Sequence, residues 1–494
     1  MNRTIVQTCD WFRSLWFRLS LAGVVSMAAV TGFATSAPAS YLAGQIVLGL
    51  CVFLAFYLLA DRPLFNPVQA VVAIFYWWLG VGPAVIATWN FMIGQTEAAL
   101  QVEEAGTEAF WIAAPGVLLY ALTARLTLAW FAKTGVCARF LLPAGGNYRP
   151  KVLIIYYLLA VLATVAVRLL QAVGIIGLQE IDFLGGTKTN IWWVGVIAAV
   201  GSLSPFVNSS LMTALVAPWK KIPASIRILI GVMVVQTMLF ALFGGWKGPL
   251  VFLGAYYVCA YVSRWQRPPW LMLAFGTVVF VTVIEPFVDY SRNVAIVSQA
   301  GNSADRENVI VNVLKNPQAF LPTRVEEMDP AIFFRGISPL AGELVRRNEP
   351  FNGKWDGYTI KWGLESLVPR VIMPDKRDNT IGAFYTMELS DDPTAGENDV
   401  YTESKAISIP FEFVGNFGWC AGILAFGLLG VTWSLWCGWL LSPARLSSHP
   451  LTPYLVLSAM IMEQSFGNYL GMFRMLLIPL LLCFVIFRML RGKI

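Results

Sequence analysis

The chain has 494 residues, of which 57% are hydrophobic and only 13% are charged, and its formal net charge is +6. Soluble domains carry about 25% charged residues, so a chain of this length with a mean hydropathy of +0.64 has too little polar surface for a water-soluble protein. The positive charge could indicate a nucleic-acid-binding protein, but its distribution along the chain, described below, indicates membrane topology instead.

The N-terminal segment resembles a secretory signal. Arg3, Arg13 and Arg18 precede the first apolar run, and Ala37-Pro38-Ala39 after it resembles a signal-peptidase cleavage site. The basic region before the apolar run is long and aromatic, which favours a first helix that is retained. Cleavage stays the alternative, and the predicted topology of the later helices is the same in either case.

Apolar runs of membrane-spanning length recur along the chain. A spanning helix needs roughly 20 mostly apolar residues, and we find about a dozen such runs. They lie near 18–36, 41–60, 67–92, 109–131, 152–175, 191–216, 224–243, 247–263, 269–286, 411–440, 451–468 and 471–488. We therefore predict an all-α, polytopic membrane protein, with transmembrane helices 1–9 in residues 1–286 and helices 10–12 in residues 408–494.

Lys and Arg in the short loops set the predicted orientation. With the N-terminus inside, the cytoplasmic segments carry many basic residues, and Asp10 and Asp61 are their only acidic ones. The short outer loops are mainly acidic, with Glu97, Glu103, Glu104, Glu108, Glu180 and Asp182 beside Lys188 and Lys247. Because cytoplasmic loops carry the excess of Lys and Arg, both termini are predicted in the cytoplasm, in a bacterial inner membrane.

Residues 287–407 form a long polar stretch that the predicted topology places on the outer, periplasmic side. Three helices are predicted in it: one after Ser303, one with Ser338 as its N-cap and Pro339 at its first position, and one from about Thr359 to just before Pro369. We therefore expect a small, mostly helical cap over the membrane domain.

The third of these helices leads into the segment Pro369-Arg370-Val371-Ile372-Met373-Pro374. Its apolar residues Ile360, Leu364 and Leu367 are expected to dock the cap on the membrane domain. The two prolines restrict the backbone around Arg370, so its guanidinium is held at a lower entropic cost. Because arginine binds phosphate with two parallel hydrogen bonds, Arg370 is predicted to contact the substrate.

Ionisable residues inside the predicted spans are costly, about 2.5–3.5 kcal/mol each near the bilayer centre on insertion scales. Arg125 lies near the cytoplasmic end of its span and can extend its charge to the surface, so a structural role is predicted. Arg168, Glu463 and Arg474 lie in the outer halves of their spans. Glu463 and Arg474 could form a simple interhelical salt bridge, and this alternative is left open.

Other charged residues share this predicted depth at the outer leaflet. Scaffold ion pairs have no reason to concentrate at one depth, whereas a site for an anionic, lipid-linked substrate needs them there. The candidate catalytic residues are Arg168, Arg370, Glu412, Glu463 and Arg474. The candidate substrate-binding residues are Lys247, Glu285, Asp289, Arg292, Arg335 and Lys376.

The sequence contains no recognisable metal or cofactor motif. No CxxC motif and no Cys/His cluster is present. The only histidine, His449, lies in a predicted cytoplasmic segment, which excludes a histidine-based triad on the outer side. Asp391 and Asp392 are adjacent in a predicted loop, and solvated charges explain them better than metal ligands do. We therefore expect an activity that needs neither a metal nor a cofactor.

Three short motifs resemble one known family. Residues Pro369-Arg370-Val371-Ile372-Met373-Pro374-Asp375-Lys376 are similar to the arginine-bearing stretch in the last large outer loop of bacterial O-antigen and exopolysaccharide polymerases. Residues Glu412-Phe413-Val414-Gly415-Asn416-Phe417-Gly418-Trp419-Cys420-Ala421-Gly422 resemble the start of their following helix. Residues Gly245-Trp246-Lys247-Gly248 resemble a short basic turn that these polymerases share with O-antigen ligases.

The resemblance implies a C-type glycosyltransferase membrane fold. It implies transfer of a polyprenyl-diphosphate-linked oligosaccharide to a sugar hydroxyl of another lipid-linked unit, with Arg370 and Lys247 holding diphosphate or sugar and Glu412 ordering the outer mouth. The implied partners are membrane lipid, a flippase and a chain-length regulator, but no nucleic acid. The missing outer histidine favours a polymerase over a ligase. The base that accepts the proton is left open among Glu285, Asp289, Glu412 and Glu463.

Two other classes of function compete with this interpretation. A lipid-linked glycan flippase or another transporter could use a broken sixth helix, which carries Ser202, Ser204, Pro205, Asn208, Ser209 and Ser210. Polar helix packing explains those residues more simply, and no internal repeat is visible. A membrane acyltransferase would lack an outer base, because the one histidine is cytoplasmic.

Overall fold

The structure, a computed structural model, describes residues 39–59, 66–134, 150–172, 203–217, 222–244, 248–265, 269–284, 340–368, 407–441, 451–463 and 465–473, with single residues between these ranges at 197, 200, 201, 373, 381, 384, 385 and 388. These residues are helical or lie in turns, with no β-strand among them, which confirms the all-α prediction. The predicted first span and much of the predicted cap lie outside the described residues.

The helices are, in chain order, α1 (Ala39–Leu58), α2 (Pro67–Tyr76), α3 (Gly82–Met92), α4 (Thr96–Thr134), α5 (Pro150–Ala172), α6 (Leu203–Leu215), α7 (Ala224–Gly244), α8 (Gly248–Trp265), α9 (Trp270–Val279), α10 (Leu340–Arg347), α11 (Tyr358–Leu367), α12 (Ile409–Phe417), α13 (Trp419–Leu441), α14 (Thr452–Ser458) and α15 (466–473). A π-helical turn, Trp77–Val81, joins α2 to α3, and another, Phe280–Ile284, follows α9. A 3-10 turn, Ala459–Glu463, follows α14.

Four helical segments of the described chain are long and apolar enough to cross a membrane. They are Ala39–Leu58, Pro67–Met92, Gly106–Thr134 and Trp419–Leu441. Shorter apolar helices cover 153–166, 224–238 and 250–262. The chain is therefore an all-α protein with several candidate membrane spans, as the composition predicts.

The chain divides into two compact units. The first unit comprises Met1–Ala138, Asp329–Ser447 and Ser458–Arg474, and the second comprises Arg139–Met328, Ser448–Leu457 and Met475–Ile494. All four candidate spans belong to the first unit, together with the described part of the predicted cap.

Close packing of α4 against α13 forms the centre of the first unit. Gly430 on α13 leaves no room for a Cβ atom, because Tyr120 O on α4 would lie 2.5 Å from it. The hydroxyl of Thr123 donates a hydrogen bond across the helices to Gly427 O (3.0 Å). Small residues that let two backbones approach are typical of helix contacts in membranes.

Two buried aromatic side chains fasten the start of α2 to these helices. Trp433 Nε1 on α13 donates to Pro67 O (3.0 Å), and the hydroxyl of Tyr120 on α4 donates to Val68 O (2.9 Å). Asn66 caps α2, since its Oδ1 accepts from the N–H groups of Val68 (3.0 Å) and Gln69 (2.8 Å). Carbonyl and N–H groups at this helix end are thus satisfied away from water.

In the second unit, α5, α6, α7 and α8 pack around a shared apolar core that includes Tyr156, Leu211 and Met233. The helix α6 is continuous from Leu203 to Leu215. Its Ser209 hydroxyl accepts a hydrogen bond from the backbone N–H of Tyr454 (3.1 Å). Ser209 therefore serves helix packing, and the helix is not broken within this range.

Three details of the sequence prediction are wrong. Residues 96–108, predicted as part of a short outer loop, are the first turns of α4, because Ala and Glu are good helix formers. The predicted span 411–440 is two helices, α12 and α13, separated at Gly418. The predicted docking residues Leu364 and Leu367 are 51% and 39% exposed, and the buried residues of α11 are Thr359 and Gly363 instead.

Arg125 has the structural role that its position predicted. Its Nη1 donates a hydrogen bond to Leu58 O at the end of α1 (3.2 Å). The guanidinium thereby satisfies a carbonyl group that the helix end leaves without an intrahelical partner.

Candidate functional site

A buried carboxylate lies where α12, α11 and α15 meet in the first unit. Glu412, in the first turn of α12, is 0% exposed, and its Oε2 accepts a hydrogen bond from the backbone N–H of Phe466 (2.6 Å). Phe466 begins α15, and the Ser465 hydroxyl caps the same helix by accepting from Asn468 N–H (3.2 Å). A carboxylate is stabilised at a helix N-terminus by the unpaired N–H groups and the helix dipole.

Burial dominates the electrostatics of Glu412, which lies outside the candidate span that begins at Trp419. It raises the pKa of the carboxyl group to about 7, although the Phe466 N–H and the hydroxyls of Thr359 and Tyr385 act in the opposite direction. Within the described residues, Oε1 makes no hydrogen bond of standard geometry. The carboxylate is thus held through one oxygen, and the hydroxyls of Thr359 and Tyr385 are the polar side-chain groups that act on its pKa.

Asn416, one turn after Glu412 on α12, links it to Thr359 on α11. Asn416 Nδ2 donates to Glu412 O (2.6 Å) and to Thr359 Oγ1 (2.7 Å), and Asn416 Oδ1 accepts from Thr359 N–H (3.3 Å). Because Thr359 Oγ1 accepts from the amide, its own hydroxyl proton is available to another acceptor. The Thr359 hydroxyl is one of the groups that lower the pKa of Glu412.

Tyr385 is the third buried residue that bears on this carboxylate, since its hydroxyl lowers the pKa of Glu412. Its ring stacks on Trp355, with ring centroids 5.5 Å apart and an interplanar angle of 19°. Trp355 N–H donates to Gly415 O (2.9 Å), and a Cβ at Gly415 would collide with the Trp355 ring. Glycine at this position therefore lets the tryptophan lie against α12, and the tryptophan in turn supports Tyr385.

At the break between α12 and α13, residues 345–350 of the predicted cap are hydrogen-bonded to the start of the span. Gly418 has φ +90° and ψ 180°, a conformation that is essentially restricted to glycine. Beyond it, Trp419 Nε1 donates to Val345 O (2.9 Å), Trp419 N–H to Glu349 O (3.2 Å) and Cys420 N–H to Pro350 O (3.0 Å). The motif from Glu412 to Gly422 therefore connects residues 345–359 with the start of α13.

A second contact between backbones joins α11 to α15. A Cβ at Gly363 would lie 3.0 Å from Gly467 N, and one at Gly467 would lie 3.1 Å from Gly363 Cα. Two glycines allow the helices to meet at this distance. The N-terminus of α15 is consequently enclosed by α11 and Glu412 together.

An apolar groove of about 640 Å³ begins beside this cluster. Ile409 and Phe413 of α12 and Phe466 of α15 line one end, and Leu428 and Trp439 line it along α13. Along α13, the rise of an α-helix places Leu428 and Trp439 about 16 Å apart. Leu428 is 46% exposed, so the groove is open to the surroundings of the protein.

Polar groups are few along the groove. The hydroxyls of Thr432 and Tyr469 lie in its wall and hydrogen bond to each other (2.8 Å). Trp436 also lines the groove, and its indole Nε1 makes no hydrogen bond within the described residues, but most of the wall is apolar. The groove is therefore suited to a hydrocarbon chain, whereas a sugar would lose its hydrogen bonds there.

Two of the predicted site residues have described side chains. Glu412 is the centre of the cluster, and Glu463 is a partly buried residue at the end of the 3-10 turn, three positions before Phe466. Arg168 lies on α5 in the second unit, and its side chain is not among those described. The others lie outside the described residues: Arg370, Arg474, Lys247, Glu285, Asp289, Arg292, Arg335 and Lys376.

The sequence did not single out Thr359, Tyr385 or Asn416 as site residues. Asn416 belongs to the motif from Glu412 to Gly422, and its spacing of four from Glu412 places both residues on one face of a helix. Thr359 was predicted only as a helix start, and nothing in the sequence marks Tyr385.

Compared with models of known protein families, with curated proteins and with solved structures, the chain matches none.

Proposed function

We propose that the protein is a polysaccharide polymerase, which transfers a polyprenyl-diphosphate-linked glycan to another lipid-linked repeat unit at the outer leaflet of a bacterial inner membrane. The observation that supports it best is the apolar groove beside the Glu412 cluster. A groove along a candidate span suits the isoprenoid tail of a lipid-linked sugar, and the cluster lies at the end where its head group would emerge.

Such a transfer needs cations that stabilise the leaving group and a carboxylate that accepts a proton. The diphosphate leaving group gains negative charge in the transition state, which a preorganised Arg370 would stabilise. A carboxylate accepts the proton of the acceptor hydroxyl. Since Glu412 is enclosed, we assign it the ordering of the outer end of the site and leave proton transfer to Glu463, the other candidate carboxylate of the first unit.

Filling the groove tests this proposal. Leu428→Trp places a large ring in the groove, so the purified protein should polymerise a full-length polyprenyl-diphosphate donor at least about tenfold less efficiently, since tenfold in rate corresponds to only about 1.4 kcal/mol. A donor with a short isoprenoid tail does not reach along the groove, and its turnover should be nearly unchanged. The measurement is kcat/KM for both donors.

Leu424→Trp is the matched control, because Leu424 lies one turn earlier on α13, is 65% exposed and does not line the groove. It should behave like the unaltered protein with both donors. If Leu428→Trp and Leu424→Trp polymerise the long donor equally well, the groove does not hold the lipid tail. If the unaltered protein extends no lipid-linked glycan, the polymerase proposal fails as a whole.

The proposal also requires the Glu412 end of α13 to face outwards. Reporter fusions at Asn302 and Pro443 should report opposite compartments, with Asn302 outside, because the Lys and Arg bias places Pro443 in the cytoplasm. The same compartment at both positions would contradict the predicted topology and, with it, a transfer at the outer leaflet.

A further inference from the structure

We propose that the ring cluster of Tyr358, Trp362 and Phe384 is a glycan-binding platform, on which a sugar of the lipid-linked substrate stacks where it leaves the apolar groove. The inference rests on the proposed function, because it names where the glycan part of the same substrate binds. All three residues belong to the first unit, and two of them lie on α11.

The three rings of the cluster contact one another pairwise. The ring centroids are 6.0 Å apart between Tyr358 and Trp362, 5.3 Å apart between Tyr358 and Phe384, and 6.4 Å apart between Trp362 and Phe384. The buried Trp355 supports them, since its ring centroid lies 5.4 Å from that of Phe384. The rings are therefore held in place before a ligand binds, which lowers the entropic cost of binding.

The cluster is accessible, unlike the aromatic residues that support it. Tyr358 is 39% exposed, and Trp362 and Phe384 are partly exposed, whereas Trp355 and Tyr385 are buried. Exposed apolar surface with polar residues at its edge marks a binding site more often than it marks the boundary of a core. The cluster therefore presents aromatic rings to a ligand.

Exposed charged residues follow two of the rings in the chain. Lys361 comes three residues after Tyr358 on α11, so both lie on one face of the helix, and Glu388 comes four residues after Phe384. A sugar ring packs the C–H groups of its face against the electron-rich face of an aromatic ring, and the hydroxyl groups at its edge need polar partners. Aromatic rings with charged neighbours suit both parts of a sugar, whereas a hydrocarbon chain gains nothing from the charges.

A row of aromatic residues connects the groove with this cluster. Phe466 and Phe413 line the end of the groove, with ring centroids 5.5 Å apart, and the ring of Phe417 follows at 6.0 Å from that of Phe413. The Phe417 ring lies against Gly357, because a Cβ on this glycine would be 3.5 Å from it, and Tyr358 is the next residue. The cluster is therefore next to the end of the groove at which the head group of a bound lipid would emerge.

Equilibrium binding of a lipid-free oligosaccharide tests the inference. The probe is the oligosaccharide that mild acid releases from the polyprenyl diphosphates of the cells that make the protein, titrated into the purified, full-length protein in detergent. Tyr358→Leu and Trp362→Leu keep apolar bulk in the cluster but offer no flat ring. Each should raise the Kd at least about tenfold, the loss expected when an aromatic anchor of a binding site is removed. Tyr358→Phe keeps the ring and should bind nearly as well as the unaltered protein.

Phe351→Leu is the matched control, because Phe351 is an aromatic residue of the same segment, is 84% exposed and lies outside the cluster. Its Kd should be unchanged, and the unfolding temperatures of all four variants should stay close to that of the unaltered protein. Equal losses of affinity in Phe351→Leu and Tyr358→Leu, or no binding by the unaltered protein, would overturn the inference. Unaltered affinity in both Tyr358→Leu and Trp362→Leu would also overturn it and would assign the exposed rings to the lipid surface.

The activity measurement separates this inference from the proposed function. With the full-length lipid-linked donor, Tyr358→Leu should raise KM and leave kcat nearly unchanged, because stacking on the platform contributes equally to the ground state and the transition state. If the unaltered protein binds the oligosaccharide through Tyr358 but extends no lipid-linked glycan, the inference holds and the polymerase proposal fails. If the protein polymerises and Tyr358→Leu matches it in both binding and KM, the inference alone fails.

Discussion

Glu412→Gln is expected to reduce polymerisation by roughly 10- to 100-fold at pH values above about 7, where the Glu412 carboxyl group is ionised, the range for losing a hydrogen bond to a charged group. The amide can still accept from Phe466 N–H, so the fold should persist. It cannot carry the negative charge that lies at the N-terminus of α15. The loss of activity should therefore come with a folded protein.

The same substitution should make the protein more stable above neutral pH. The pKa of Glu412 is raised from its ordinary value of 4.5 to about 7, so the folded state binds the proton more tightly than the unfolded state. This contribution to stability is complete below pH 4.5 and is lost as the pH rises through 7. At pH 8 the ionised carboxylate costs about 3 kcal/mol of unfolding free energy, which glutamine avoids.

Thermal unfolding at pH 5 and pH 8 checks this expectation. Glu412→Gln should unfold at a higher temperature than the unaltered protein at pH 8, and the difference should be small at pH 5. Glu365→Gln on α11 is the control, because Glu365 is partly exposed and should change neither activity nor stability appreciably. An equal pH dependence of unfolding in Glu412→Gln and the unaltered protein would show that Glu412 does not titrate in this range.

Hydropathy predicted the described apolar helices well. The runs 41–60, 224–243 and 247–263 agree with α1, α7 and α8 within a few residues. A helix that is buried in lipid or in a protein core needs only a sufficiently long run of apolar residues, and the sequence shows such runs directly. The predicted helix near Thr359 also agrees with α11, which ends at Leu367, because the residue before Pro369 is disfavoured in a helix.

The break at Gly418 was missed for a physical reason. Phe411 to Phe417 and the residues after Trp419 are mostly apolar or small, so hydropathy continues across the break. What ends α12 is the positive φ of Gly418 together with the carbonyls of Glu349 and Pro350, which bind the N–H groups that begin α13. These partners lie far away in the sequence, and no local sequence pattern indicates them.

The candidate site was predicted only in part. Glu412 was noticed through its motif, but its enclosure depends on Tyr385 and Thr359, which approach from other segments. The predicted docking face of α11 is wrong because apolar content does not decide which residues of this helix are buried. Docking there depends instead on a small residue, Gly363, and on the polar Thr359, since close backbone contact and a buried hydrogen bond replace hydrophobic area.

Gly430→Ala should destabilise the first unit strongly, although it adds only one methyl group. The new Cβ would lie 2.5 Å from Tyr120 O and 3.1 Å from Tyr120 Cα, and it would collide with the Thr123 hydroxyl. Backbone atoms of a packed helix cannot move aside as a flexible side chain does. The helices α4 and α13 must separate, and the hydrogen bond from Thr123 to Gly427 O is lost with them.

The expected cost is about 3 kcal/mol, at the upper end of what overpacking a core produces, even after the gain of roughly 1 kcal/mol in helix propensity. Gly231→Ala on α7 is the matched control, because no described atom lies within 4 Å of its added Cβ. It receives the gain in propensity without the collision, so it should be neutral or slightly stabilising. Unfolding temperatures of both variants in the same detergent measure the contrast, and an unaltered unfolding temperature for Gly430→Ala would mean that α4 and α13 do not pack through this glycine.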